Sequence, residues 1–215
     1  MLIHHNAFIA QRNRYETLVC ARYGVDAATY AAVTELLAPI ALPVVRRKGE
    51  YLQHAGEISR YLYWVTDGVA RSGYTTSTGT EITISFSTES YSAPPYHDLL
   101  AASQGSPARY FVMAETAIEG FRLEWERLQM LLETEKSLRI YHTKVLEYLL
   151  QQEARRSYTH IAACATDRLA SFRADFPGLE ERISQKVIAS FLEITPQYLS
   201  QMLNGSLPKP ERNND

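Results

Sequence analysis

The sequence predicts an α+β protein: helices, then an antiparallel β-sandwich or barrel, then one long helix and a C-terminal helical unit. Three observations predict it. Short runs of Val, Ile, Tyr, Phe and Thr recur between glycines from Leu42 to Glu119. No Gly or Pro interrupts Glu124 to Arg156. Two short amphipathic segments joined by a tight turn span Gln185 to Asn204.

The elements follow in order. Tyr15, Leu18, Val19 and Arg22 fall at helical spacing, and a second helical run covers Asp26 to Ala38 before Pro39 stops it. His4 and His5 are expected to lie exposed or disordered, with no metal role. Tyr61–Val65 and Glu81–Phe86 read as strands, the second alternating polar and apolar. Thr76 to Thr80 reads as a hairpin turn in which Gly79 is free to take positive φ. Gly49, Gly56, Gly68 and Gly73 punctuate the remaining strands, and a short helix is expected around Asp98 to Ala102. Glu124 to Arg156 predicts a helix of ~33 residues, ~50 Å long. Its stripe of Leu128, Leu131, Leu138, Val145 and Leu149, broken by Glu135 and His142, suits either its own domain or a twin helix, and the dimer is preferred. Thr159 to Phe172 predicts one further helix. The domain division is then 1–123, 124–156 and 157–215.

Composition narrows the functional classes. Of 215 residues, 46% are hydrophobic and 21% charged, with a formal net charge of −2, which excludes a disordered chain. Ser157 to Asp215 holds six Lys/Arg and seven Asp/Glu, a weak electrostatic footprint for a nucleic-acid binder. Cys20 and Cys164 match no metal or redox spacing and are expected to be reduced thiols. No signal peptide or spanning segment is evident, so a cytoplasmic protein without membrane contact is expected. His54 and His97 form no HxH pair, and no nucleophile–base pair or phosphate loop stands out. Neither catalytic residues, nor a metal, nor a cofactor is therefore expected. A cupin-like enzyme is the weakest alternative, and a dimeric interaction module that has lost DNA binding is a stronger one.

The most informative stretch is the paired-helix unit. Ser184 can cap the first helix, and Thr195 with Pro196 starts the second in the preferred way. Ile188, Ala189 and Leu192 form one inner face; Leu199, Met202 and Leu203 form the other. Ala189 is small where the helices must cross. The outward face carries Gln197, Tyr198, Ser200, Gln201 and Asn204. A helix fits the DNA major groove, where Gln or Asn pairs bidentately with adenine. Arg182, Lys186, Lys209 and Arg212 are the candidate phosphate contacts. Glu193 stands in the turn, where a left-handed backbone usually selects glycine.

Arg47–Leu52, Ala55–Glu57, Tyr61–Arg71, Gly79–Thr83, Pro107–Thr116, Ala165–Leu169 and Ile188–Gln201 together resemble Crp/Fnr-type regulators over nearly the whole length. The resemblance implies a cyclic-nucleotide-binding-like β-roll (a double-stranded β-helix), a long dimerisation helix and a helix-turn-helix. It also implies a homodimer acting on double-stranded DNA, with RNA polymerase as a further partner. Members that bind cyclic AMP use a Phe-Gly-Glu segment, then Arg-Ser-Ala, whose Arg and backbone amides hold the phosphate. Here Tyr91-Ser92-Ala93-Pro94-Pro95 stands at the first region, and Ala108 falls where that Arg belongs. Arg109 is displaced by one residue, which turns a strand side chain to the other face. Tyr91, Ser92 and Arg109 are what remains of an effector pocket, and no cyclic-nucleotide binding is expected. Gln197 and Gln201 replace the family's base-reading Glu and Arg, and the segment after Gly205 is too short for the β-wing many members carry.

Overall fold

The computed structural model describes residues 2–89 and 96–205. Helix α1 (Leu2–Tyr23) and helix α2 (Ala27–Leu37) come first. Asp26 caps α2 by accepting the Thr29 amide at 2.7 Å. His5, expected exposed or disordered, lies within α1, 3.8 Å from Glu35 of α2. A 3₁₀ turn at Ala38–Ile40 carries Pro39 into the strands.

The strands are β1 (Ala41–Arg46), β2 (Tyr51–Gln53), β3 (Tyr61–Asp67), β4 (Ala70–Thr75), β5 (Glu81–Ser87), β6 (Phe111–Ala114) and β7 (Ile118–Glu124), with α3 (Tyr96–Ala102) before β6. They form two antiparallel sheets, ordered β1-β7-β3 and β2-β6-β4-β5. The inner faces meet through Val44, Val65 and Ile118 from one sheet and Leu52, Ala70, Val112 and Ala114 from the other. On the outer face of the first sheet, Phe121 and Leu123 pack against Phe8, Val33 and Leu37 of the lead-in helices. The hairpin turn lies where the sequence places it, with Gly79 at φ 81. Gly73 sits inside β4 rather than between strands, where a Cβ would collide with the Ile82 carbonyl.

The long helix is divided. Helix α4 (Trp125–Thr134) ends at Glu135, whose backbone is extended, and α5 (Lys136–Ala162) continues past the expected end at Arg156. Arg139 donates to the carbonyls of Leu132 and Glu133 at 3.0 and 2.7 Å, satisfying acceptors that the break frees. A second break at Ala163–Cys164 starts α6 (Ala165–Asp175), so Thr159 to Phe172 is not one helix. The breaks steer the apolar stripe inward. Leu128, Leu131 and Leu138 join the core with Phe8 and Trp125. Val145 and Leu149 pack on Tyr15, Val19, Tyr23 and Tyr30. The stripe expected as a dimer seam therefore serves the subunit's own core.

Candidate nucleic-acid interface

Helix α7 (Gln185–Phe191) and helix α8 (Pro196–Leu203) form the C-terminal pair. Ser184 accepts the Val187 amide at 3.4 Å, and Thr195 accepts the Tyr198 amide at 3.1 Å, with Pro196 in the first turn. Ala189 and Leu199 are fully buried in one core with Ile188, Leu192, Leu169, Phe172 and Leu179. Ile194, Met202 and Leu203 pack against it. With its apolar side so engaged, α8 presents Gln197, Tyr198, Gln201 and Asn204 to solvent. Ser200 is half-buried and accepts from Asn204 at 3.4 Å. Gln197, Gln201 and Asn204 share one side of the helix, at spacings of four and three.

Glu193 takes φ 55, alone among the described non-glycine residues. A left-handed backbone costs an L-residue about 1–2 kcal/mol, and glycine's extra unfolded-state entropy offsets about 0.5–1 kcal/mol of the relief. Glu193→Gly is therefore expected to raise stability by up to about 1 kcal/mol, read as a higher urea midpoint. A lower midpoint would mean that the Glu193 side chain makes up for the strain.

The pair docks on the roll through α7, which leaves α8 facing outward. Strand β5 is an edge strand. Ser190 of α7 caps its free backbone: the hydroxyl accepts the Thr83 amide at 2.9 Å and donates to the Glu81 carbonyl at 3.2 Å. Arg156 donates to the Ile84 carbonyl, and its guanidinium lies 4.9 Å over the Phe191 ring. Phe86 of β5, fully buried, inserts among Phe172, Phe176 and Phe191. Arg182 forks onto Glu89 at 3.0 and 2.6 Å. Burial alone would raise the Glu89 carboxyl, but the Arg182 fork and the Gly68 amide hold it below its usual value. Arg182, a candidate phosphate contact, is thus committed to the roll, whereas Lys186 is exposed on the first turn of α7. Lys209 and Arg212 lie outside the described residues.

Where the sequence resemblance places the phosphate-binding arginine, Ala108 is buried and the Arg109 side chain is exposed. The Arg109 and Tyr110 amides donate to the two oxygens of Asp98 at 2.9 and 3.0 Å. Gln53 donates to the same carboxylate at 3.3 Å. Asp98, 1% exposed, is the residue that sequence reasoning missed there; read as part of a short apolar helix, it gave no sign of folding back onto β6. Tyr91 and Ser92 lie outside the described residues. Cys20 and Cys164 are free thiols. Among the described residues no group of three or more His, Cys, Asp and Glu is placed to hold a metal, and no helix is long and apolar enough to cross a membrane.

No protein-family model matches the sequence, and no curated protein matches it. Solved structures do resemble it. FixK2 of Bradyrhizobium japonicum is 17% identical with a TM-score of 0.59, over 77% of this chain and 84% of that one. A CooA mutant from Carboxydothermus hydrogenoformans is 18% identical at 0.61, over 78% and 76%. The c-di-GMP-responsive global regulator CLP of Xanthomonas campestris is 17% identical at 0.56, over 84% and 91%. The roll, the helical connection and the outward-facing helix pair therefore make up the fold that these solved structures share.

Proposed function

We propose that this protein is a homodimeric, sequence-specific regulator of transcription that reads double-stranded DNA with α8. The observation that carries the reading is the outward face of that helix. Gln197, Gln201 and Asn204 stand together in solvent while Leu199 on the reverse face is buried and Met202 and Leu203 are partly buried against the core. Residues 1–123 act as the sensor unit, 124–156 as the connection and 157–215 as the reader. Lys186, exposed on the first turn of α7, supplies a phosphate contact, as does the capped N-terminus of α8 at Thr195 and Pro196. The names of the neighbours support the class, and the buried helix pair supports the mode of reading.

The sensor does not take cyclic nucleotides in this reading. Two backbone amides that the family resemblance assigns to a phosphate already serve the Asp98 carboxylate. A second anion there would meet the charge of Asp98 in a buried site.

The dimer seam is the opposite side of α5 from the one read in the sequence. Ile140, Leu150 and Ile161 are 46%, 72% and 88% exposed, with Thr143, Ala154 and Tyr158 between them at helical spacing. Burying this stripe against its twin removes the exposed Ile140, Leu150, Tyr158 and Ile161 surfaces from water, with Glu147 and its partner Lys144 beside them. Leu150→Glu is expected to shift the solution mass toward the 24.4 kDa monomer without loss of helicity. An unchanged dimer mass for the variant would place the seam elsewhere.

DNA selected from a random pool, titrated at several salt concentrations, tests the central reading. Affinity should fall steeply with salt, and Gln197→Ala and Gln201→Ala should each weaken the selected site by about 1–3 kcal/mol while sparing random DNA. Normal binding of the selected site by both variants would remove the base-reading role. Binding indifferent to salt and sequence would favour an interaction module instead.

A further inference from the structure

The roll has a further concave site at the end where β1, β2, the β2–β3 loop, β3 and β7 meet; Gln53, which donates to Asp98, forms part of its wall. It is an open cleft of about 430 Å³ whose lining includes Arg46, Glu57, Arg60, Tyr61, Tyr63 and Arg122. Three guanidiniums face one carboxylate there, an excess of two positive charges.

The placement of Arg122 is unusual for its position. Along β7, Ile118 belongs to the inner core of the roll, and Arg122, four residues on, shares its face. It sits opposite Leu42 of β1 and Tyr63 of β3. Its Nε is buried and has no hydrogen-bond partner. Its guanidinium lies 4.5 Å over the Tyr61 ring, which holds the fork flat. Arg46 is likewise fixed, donating to the carbonyls of Tyr51 at 3.2 Å and Val45 at 2.9 Å, contacts that leave its charge unneutralised. Tyr63 is held by donation to the Leu52 carbonyl at 2.6 Å. Two guanidiniums are thus positioned before any ligand arrives, and little side-chain freedom remains to be lost on binding.

We propose that this cleft binds a small phosphate monoester, with Arg46 and Arg122 holding the phosphate and Tyr61 providing an aromatic wall. A monoester carries about −1.5 to −2 charges at neutral pH, which balances the excess in the lining. Planar guanidiniums present paired N–H donors matched to phosphate oxygens. This site does not depend on α8 or on DNA reading, so its failure would leave that reading intact.

The test uses the full chain, with inorganic phosphate and phenyl phosphate as probes and chloride at equal ionic strength as control. Both phosphates are expected to bind saturably by calorimetry and to raise the melting temperature, phenyl phosphate more strongly because its ring meets Tyr61. Arg46→Gln and Arg122→Gln should each weaken binding about tenfold or more, the loss expected of a charged hydrogen bond. Glu57→Gln should tighten it by removing a like charge. Arg109→Gln, exposed and outside the cleft lining, should change nothing. Should Arg122→Gln fail to fold, Arg46→Gln and Glu57→Gln decide. Phosphate behaving as chloride does, or binding equally to the wild type and Arg46→Gln, overturns the assignment.

Discussion

Phe86→Ala is expected to destabilise the protein by about 3–5 kcal/mol. The ring is fully buried and stands 5.1 to 6.1 Å from the rings of Phe172, Phe176 and Phe191. Those three belong to the helical unit or its lead-in, whereas Phe86 belongs to the roll, so the lost volume opens at the junction of the two. The nearby Ser190 and Arg156 contacts to the β5 backbone hold the walls apart and limit collapse into the gap. Hence the cost should lie in the upper part of the range. Urea unfolding followed by circular dichroism measures it. Separately, α8 should lose its fixed position relative to the roll, seen as faster proteolysis near Ala163–Cys164. A loss under about 1 kcal/mol would mean that the junction repacks and that the roll does not anchor the α7–α8 pair.

Arg71→Met is the second large effect, at about 3–5 kcal/mol. Arg71 is 4% exposed on the face of β4 opposite the core residue Ala70, pairs with buried Glu115 and with Glu81 at the rim, and lies 4.9 Å over the Phe111 ring. Removing the guanidinium leaves the Glu115 carboxylate buried without its countercharge. That uncompensated charge, more than the lost attraction, sets the size of the effect. The double variant Arg71→Met with Glu115→Leu should therefore recover most of the loss, because a well-packed apolar pair often equals a buried ion pair in stability. A double variant as unstable as the single one would show that packing of the guanidinium on Phe111 matters more than charge.

How far the sequence could be read differs from residue to residue. The hairpin at Gly79, the caps at Ser184 and Thr195, and the buried Ala189 were legible because each is a local rule with a residue type that satisfies it. The strained turn at Glu193 was legible by its violation of such a rule. The break at Glu135 carried no Gly or Pro; it depends on Arg139 reaching back to the α4 carbonyls and on Leu138 finding a pocket beside Phe8. Nor could local pattern tell which side of α5 faces its own subunit, since both sides carry apolar residues and the choice depends on α1 and α2 covering one of them.

Sequence alone determined that a strand-rich unit precedes a long helical stretch and a capped helix pair with a polar outward face. Periodicity, turn residues and caps act within a few residues of one another, so they survive without knowledge of the fold. Tertiary structure decided that Asp98 takes the Arg109 and Tyr110 amides, that Arg182 belongs to Glu89, and that Arg46 and Arg122 converge on one cleft. Those outcomes depend on groups 11 to 93 residues apart meeting in space, and the energy of a charge is set by what the fold places beside it.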